Sequence, residues 1–203
     1  MDHIYIFWLS VIFIPVLGTL AHFLYDWTHH NRTIGLFTAV NESTWEHIRI
    51  ALTATFIWSL FDGFFYGSDP NYFPAKLISL LVITITIPAI FYSYRHFTKK
   101  SILLIDIALF YLAILLGQLS FFAILFLPNA PYFLQYLSCI GLFIFFGCYM
   151  TLTLAPLHTF LFQDPINGKY GFRAHQHLLK SIQNKRKSKK SSRTKKSPKS
   201  SQN

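Results

Sequence analysis

The sequence has 203 residues, of which 53% are hydrophobic and 13% are charged, against about a quarter charged in a typical soluble domain. This composition excludes an ordinary water-soluble domain and predicts a chain that folds in lipid. The net charge of +10 belongs to the tail: residues 169–203 contain 12 basic and no acidic residues, whereas residues 1–168 contain six basic and eight acidic residues.

Five apolar runs follow one another along the chain. The first has Asp2 and His3 instead of a basic start and is too long for a secretory signal, so we interpret it as a retained span. Each run is near the length of about 20 residues that crosses a bilayer. The runs cover residues 4–27, 44–66, 73–94, 101–127 and 132–162. The predicted fold class is all-α, a membrane domain of about five transmembrane helices within residues 1–168.

Basic residues in the short connections predict the orientation, because Lys and Arg favour the cytoplasmic side. Arg32 lies between the first two runs, Arg95 and two lysines lie between the third and fourth, and the basic tail follows the fifth. The other two connections contain only Lys76. This pattern predicts a multi-pass protein of the cell membrane, with its amino terminus outside and its carboxyl terminus in the cytoplasm.

The tail, residues 169–203, has a different composition from the rest of the chain. From Lys185 onward it is almost entirely Lys, Arg, Ser and other polar residues, which predicts disorder. Its charge fixes the topology and is also suited to anionic lipid headgroups. No aromatic residue follows Phe172 to stack on bases, so the tail does not predict specific nucleic-acid binding.

The connection between the first two spans contains an unusual segment. Residues 34–40 are mostly apolar although they lie in a loop. We expect this segment to rest in the membrane interface or to fold back among the helices. In the second case its backbone must find hydrogen-bond partners in protein or water.

Acidic residues and histidines are concentrated where the first span ends and the second begins. His22 and Asp26 are four residues apart and share a helix face. With Glu42, Glu46 and His47 they supply the ligand types of a divalent metal such as zinc, or groups for proton transfer. The candidate metal ligands are His22, Asp26, Glu46 and His47, and a contact to a substrate or ion is a further interpretation.

A structural role is the alternative for part of this cluster. Residues 43–46 read Ser-Thr-Trp-Glu, the pattern of a capping box, in which Ser43 and Glu46 satisfy free amides at a helix start. Trp27 and Trp45 stand where an interfacial aromatic belt is expected. Both interpretations of the cluster remain open at the level of sequence.

The same segments resemble a family of small bacterial integral membrane proteins of unknown function. That family shares His-Phe-x-Tyr-x-Trp followed by Val-Asn-Glu-Ser-x-Trp-Glu-His. Here residues 22–27 read His-Phe-Leu-Tyr-Asp-Trp, and residues 40–47 read Val-Asn-Glu-Ser-Thr-Trp-Glu-His. A second likeness is Phe-Gln-Asp-Pro at residues 162–165, followed by Tyr170 and Gly171. The resemblance covers most of the membrane domain but not the tail, and it implies the fold and no particular reaction.

Three more polar residues lie inside the apolar runs and are candidates for buried contacts: Asp62, Asp106 and Gln118. Asp106 is one to two turns from the cytoplasmic start of its span, where it is able to join the cluster. Asp62 follows Glu46 by 16 residues, about 24 Å along a helix, and belongs to the other face. A single Asp or Gln in a helix bundle most often forms a hydrogen bond between helices.

Three classes of function fit these features. The first is a non-enzymatic membrane component, such as a small transporter, an ion-conducting protein or a scaffold, and the lack of a complete catalytic or metal motif favours it. The second is a membrane-embedded enzyme that uses a divalent metal such as zinc on lipid or prenyl substrates. The third is an accessory subunit that docks on a membrane protein partner through its Phe-rich helices.

Overall fold

The computed structural model describes residues 3–172 and residue 174. Among these residues, five helices are long and apolar enough to cross a membrane, and α2 is a single turn in the connection that precedes α3. The helices are α1 (His3–Trp27), α2 (Arg32–Gly35), α3 (Thr44–Tyr66), α4 (Tyr72–Thr98), α5 (Leu103–Leu125) and α6 (Tyr132–Leu154). The predicted all-α class with five candidate membrane spans is confirmed. The disorder predicted from Lys185 onward lies outside the described residues.

The last span is shorter than the sequence predicted, because α6 ends at Leu154 and not at residue 162. Ala155 leaves the helical conformation with φ −129° and ψ 76°. Pro156 follows, and a proline both lacks an amide hydrogen and disfavours helix at the residue before it. The chain then folds back in a turn closed by an antiparallel bridge between Gln163 and Tyr170.

The antiparallel helices α4 and α5 pack closely along their length. At one end the Lys76 Nζ lies 4.2 Å from the centre of the Phe121 ring, and at the other the Tyr94 hydroxyl donates to Asp106. Between them, a Cβ added at Gly117 would lie 2.5 Å from Ile83 Cγ1. The absence of a side chain at Gly117 therefore allows the two helices to approach.

The candidate polar side chains lie toward the two ends of the bundle. The His22 end comprises the last turns of α1, α4 and α6 and the first turns of α3 and α5. There Trp45 donates its backbone amide to the carbonyl of Leu161 at 2.9 Å. The Asp62 end comprises the opposite turns, where His3 Nδ1 lies 3.0 Å from the Tyr66 hydroxyl. This division separates the two groups of candidate residues.

Candidate functional site

A buried ion pair forms where α3 begins. Glu46 and Arg49 are 2% and 1% exposed, and Arg49 Nη1 donates to Glu46 Oε1 at 2.9 Å. Arg49 Nη2 also donates to the backbone carbonyls of Gly35 and Thr38. Glu46 Oε2 accepts from the backbone amide of Val40 at 3.0 Å. The pair therefore supplies hydrogen-bond partners to the backbone of residues 34–40. Much of this segment is buried, which agrees with the expectation that it folds back among the helices.

The predicted capping box does not form, so that interpretation of residues 43–46 was wrong in its details. Ser43 is the N-cap residue of α3 by backbone geometry, but its side chain makes no capping hydrogen bond. The Ser43 backbone amide donates instead to the Asn41 side chain at 2.8 Å. Glu46 is unable to reach back to that amide because Arg49 and Val40 occupy its two oxygens.

Two histidines lie side by side at the His22 end. The rings of His22 and His47 have centroids 5.6 Å apart, and His22 Nε2 lies 3.7 Å from Glu42 Oε1. The Nδ1–H of His47 donates to the Ser43 carbonyl at 3.0 Å, which leaves Nε2 as the acceptor nitrogen of a neutral ring. The helix end and the loop before α3 therefore bring His22, Glu42 and His47 together.

Asp26 belongs to a different contact. Its Oδ1 lies 3.1 Å from His30 Nε2, and its side chain is 63% exposed. His29 and His30 both have left-handed backbone conformations, with φ of 52° and 63°, where the chain turns after α1. The exposed Asp26 carboxylate thus faces the turn that carries His30.

Asp106 joins the His22 end from α5. Its two carboxylate oxygens accept from the hydroxyls of Tyr94 and Ser101. The Tyr94 hydroxyl also accepts from the backbone amide of Ile102, 3.4 Å away. These bonds hold the loop between α4 and α5 and orient the Asp106 side chain. Asp106 therefore lies at the same end of the bundle as His22 and His47, as the sequence predicted.

A cavity of about 650 Å³ lies between α1, α3, α4 and α5 at this end. Its walls are mainly apolar, and side chains from the turn after α6 also line it. Its polar lining includes His22, Glu42, His47, Arg95 and Asp106. The volume is in the range of pockets for small molecules, about 300 to 1,000 Å³. Of the residues that the sequence singled out, His22, Glu42, His47 and Asp106 thus line one cavity, whereas Asp26 and Glu46 do not.

The four predicted metal ligands are divided among three contacts. His22 and His47 face each other, Asp26 is beside His30, and Glu46 is bonded to Arg49. Within residues 3–172 and 174, no group of three or more His, Cys, Asp or Glu side chains is arranged to hold a metal ion. A zinc centre built from all four residues remains a prediction, and it requires Glu46 and Asp26 to leave these contacts.

The other polar candidates lie toward the Asp62 end. Asp62 is fully buried and accepts from Lys76 Nζ at 2.5 Å and from the Tyr72 hydroxyl at 2.9 Å. The general expectation of a hydrogen bond between helices therefore holds for Asp62, which joins α3 to α4. Gln118 is also fully buried, but neither atom of its amide has a hydrogen-bond partner among the described residues.

Sequence reasoning missed the basic partners of the buried acids. Lys76 was counted with a connection, whereas it lies inside α4 and is 3% exposed. Arg49 was not proposed as a partner of Glu46. The signal for Arg49 was present, since Glu46 and Arg49 are three residues apart and share a helix face. No comparable signal marked Lys76, because its partner Asp62 lies on another helix.

Comparison with known proteins places the chain without assigning it an activity. No curated protein and no solved structure matches it. A family model does match, and it spans residues 2–172, the membrane domain and the turn that follows α6. The chain therefore belongs to a family of unknown function, DUF6512.

Proposed function

We propose that this protein is a small membrane transporter whose cargo is an amphiphile with an anionic head group, bound in the cavity at the His22 end. The observation that carries the proposal is the composition of that cavity. Apolar side chains from α4 and α5, including Phe91, Ile107 and Phe110, stand beside the charged groups Arg95 and Asp106. An amphiphile places its chain on the first kind of surface and its head group on the second.

The charges of the cavity favour an anionic head group. Glu42 faces His22, and Asp106 is bonded to two hydroxyls. Arg95 lies 5.2 Å from the centre of the Phe91 ring and forms no ion pair within the described part of the chain. It is thus the charged group of this cavity that is most available to a phosphate or carboxylate, which a guanidinium binds through two parallel hydrogen bonds.

The cavity faces the cytoplasm in this proposal, with the protein in the cell membrane. Because Lys76 is buried inside α4, the connections at the Asp62 end, residues 67–71 and 126–131, contain no Lys or Arg. The connections at the His22 end contain Arg32, Lys99 and Lys100. Basic loops favour the cytoplasmic side. The basic tail, which lies outside the described residues, would then meet anionic lipid on the same side.

A thermal unfolding assay in neutral lipid nanodiscs tests the head-group preference. Dodecyl phosphate and dodecyltrimethylammonium have the same chain and opposite charge. We expect the phosphate to stabilise the protein and the ammonium compound to have little effect. Arg95→Gln should weaken phosphate binding about tenfold, since one charge-assisted hydrogen bond contributes about 1.5 kcal/mol.

Lys99→Gln is the matched control, because Lys99 is an exposed cation four residues away and does not line the cavity. It should bind dodecyl phosphate as the unaltered protein does. Equal stabilisation by both amphiphiles, or equal losses in the Arg95 and Lys99 variants, would contradict the proposal.

The adjacent His22 and His47 rings favour a second candidate, a metal-dependent enzyme on lipid or prenyl substrates. Two histidines and a carboxylate are a common ligand set of catalytic zinc, and Glu42 Oε1 lies 3.7 Å from His22 Nε2. The three side chains would have to converge further to hold the ion, because they are not arranged as a metal site in the described part of the chain. Metal analysis of the purified protein distinguishes the candidates. Stoichiometric zinc that survives dialysis and is lost in a His22→Ala, His47→Ala double variant supports the enzyme. A protein free of zinc that binds dodecyl phosphate supports the transporter.

A further inference from the structure

Three buried side chains with polar atoms lie at one level of the bundle, about two turns from the helix termini of the Asp62 end. Trp58 is one turn from Asp62 along α3, Ser79 is one turn from Lys76 along α4, and Gln118 is one turn from Phe121 along α5. Lys76 contacts both Asp62 and the ring of Phe121. Because Asp62, Lys76 and Phe121 lie at one level of the bundle, the residues one turn further inward on each helix lie together at the next level.

Each of the three side chains has a polar atom without a partner among the described residues. These atoms are Trp58 Nε1, Ser79 Oγ and both amide atoms of Gln118. Ser79 and Gln118 are fully buried, and Trp58 is 3% exposed. In the apolar core of a membrane an unsatisfied polar group is costly, so each of these three groups requires a partner. Water is small enough to serve all of them and needs two to four polar partners.

We propose that internal water bound by Trp58, Ser79 and Gln118 extends the Asp62–Lys76 pair into the membrane and forms a half-path for protons from the Asp62 end. The Asp62–Lys76 pair is the proton-exchanging part of this path. The proposal does not depend on which molecule fills the cavity at the other end.

Proton movement along this half-path balances in three steps. A proton that reaches the Asp62 carboxylate neutralises it. The Lys76 ammonium then releases a proton to the water at Ser79 and Gln118, which leaves a neutral amine and a neutral acid. Finally the acid returns its proton to the amine across the 2.5 Å contact, which restores the ion pair. One proton has entered and one has left.

The titratable groups around the pair provide the entry. Tyr72 on α4 donates to Asp62, and Tyr66 on α3 lies one turn beyond Asp62. Tyr66 is in turn hydrogen-bonded to His3 on α1, which is exposed at the Asp62 end. No further charged or titratable side chain within the described residues is hydrogen-bonded to Asp62 or Lys76.

An apolar layer ends the half-path. Ile83 and Ile114 are fully buried and lie one turn further inward than Ser79 and Gln118. One turn beyond them, Ile87 and Phe110 line the cavity of the His22 end. Ser79 and Ile87 are eight residues apart, about 12 Å along the helix. One isoleucine layer therefore separates the two polar regions.

The first test opens that layer. Purified Ile83→Ser protein is reconstituted into liposomes that contain a pH-sensitive dye, and a pH gradient is applied. The added hydroxyl supplies a hydrogen bond for water in the layer, so we expect proton entry to be about tenfold faster than in the unaltered protein. Ile85→Ser is the matched control, because Ile85 is on the same helix and 63% exposed toward lipid; it should leave the rate unchanged.

The leak must also depend on the proposed water. Adding Gln118→Leu to Ile83→Ser should return proton entry to the rate of the unaltered protein. A rate in Ile83→Ser no faster than in Ile85→Ser would overturn the proposal. So would a leak that persists when Gln118 is leucine.

The second test needs no liposomes, and it remains decisive even when the Ile83→Ser variant does not fold. Unfolding temperatures are measured for Ser79→Ala, Gln118→Leu and the double variant. If both side chains share water, the double variant loses less than the sum of the two single losses. Strictly additive shifts, or a higher unfolding temperature in Gln118→Leu, would show that Ser79 and Gln118 do not bind common water, and would overturn the proposal. Ser120→Ala, which removes a hydroxyl bonded within its own helix, should combine additively with Gln118→Leu.

Discussion

Two buried ion pairs lie within residues 3–172, and they have different roles in the fold. Glu46 and Arg49 are neighbours on one helix and bind the backbone of residues 34–40. Asp62 and Lys76 come from α3 and α4 and join two membrane spans. The Glu46 carboxylate and Arg49 Nη2 form three hydrogen bonds to the loop backbone, whereas both hydrogen bonds to Asp62 come from side chains of α4.

The difference teaches where to expect structure and where to expect activity. The Glu46–Arg49 pair makes an irregular loop compatible with burial, because Arg49 and Glu46 satisfy backbone groups that would otherwise lack partners. A pair so engaged has little capacity left for chemistry. The Asp62–Lys76 pair crosses from helix to helix, and its hydrogen bonds hold no irregular loop. It is the pair that we propose to exchange protons in the half-path.

The largest effect is expected from Arg49→Met. This change leaves Glu46 buried without its charge partner and removes the donor to two backbone carbonyls. Breaking a buried pair in this way costs about 3 to 5 kcal/mol of stability. Unfolding by denaturing detergent in mixed micelles measures it, with Arg32→Met, an exposed arginine of α2, as the control. Equal stability of the two variants would show that the loop does not depend on the pair.

Lys76→Met should also be strongly destabilising, by about 3 kcal/mol, because the Asp62 carboxylate then lacks its cation while still accepting from Tyr72. Adding Asp62→Asn should recover a large part of that loss, since the uncompensated charge is gone. The corresponding double change of Glu46 and Arg49 should recover less, because backbone groups of the loop remain unpaired. Equal recovery in the two pairs, measured by the same unfolding assay, would remove the distinction between them.

Asp26→Asn should have the smallest effect, no more than about 0.5 kcal/mol, because the Asp26 side chain is 63% exposed in its contact with His30. Unfolding at low and high salt measures the change. A loss as large as that of Lys76→Met would mean that the Asp26–His30 contact belongs with the buried pairs.

The sequence was informative about the fold for a physical reason. Five apolar runs of suitable length leave few alternatives to a helical bundle, and four of the five predicted spans agree with the structure to within four residues at each end. The end of the fifth was missed because residues 155–162 stay apolar after Pro156 has stopped the helix.

The sequence was less informative about the candidate site, because side-chain partners depend on tertiary contacts. His22, His47 and Asp106 do line one cavity, but the Glu46 carboxylate, which looked equally suited to a site, is held by Arg49 and Val40. The pattern Ser-Thr-Trp-Glu predicted that Glu46 would accept from the Ser43 amide. That amide donates to the Asn41 side chain instead. Contacts across helices, such as Lys76 with Asp62, leave no periodic trace in a single sequence.

The most direct test of the proposed cargo site is photo-crosslinking with a long-chain alkyl phosphate that carries a diazirine, followed by peptide mapping. We predict that the label concentrates on the α4 and α5 segments around Phe91, Ile107 and Phe110, and that Arg95→Gln reduces it there. A label spread over exposed apolar residues of α6, such as Phe143 and Ile144, and unchanged in Arg95→Gln would contradict the account.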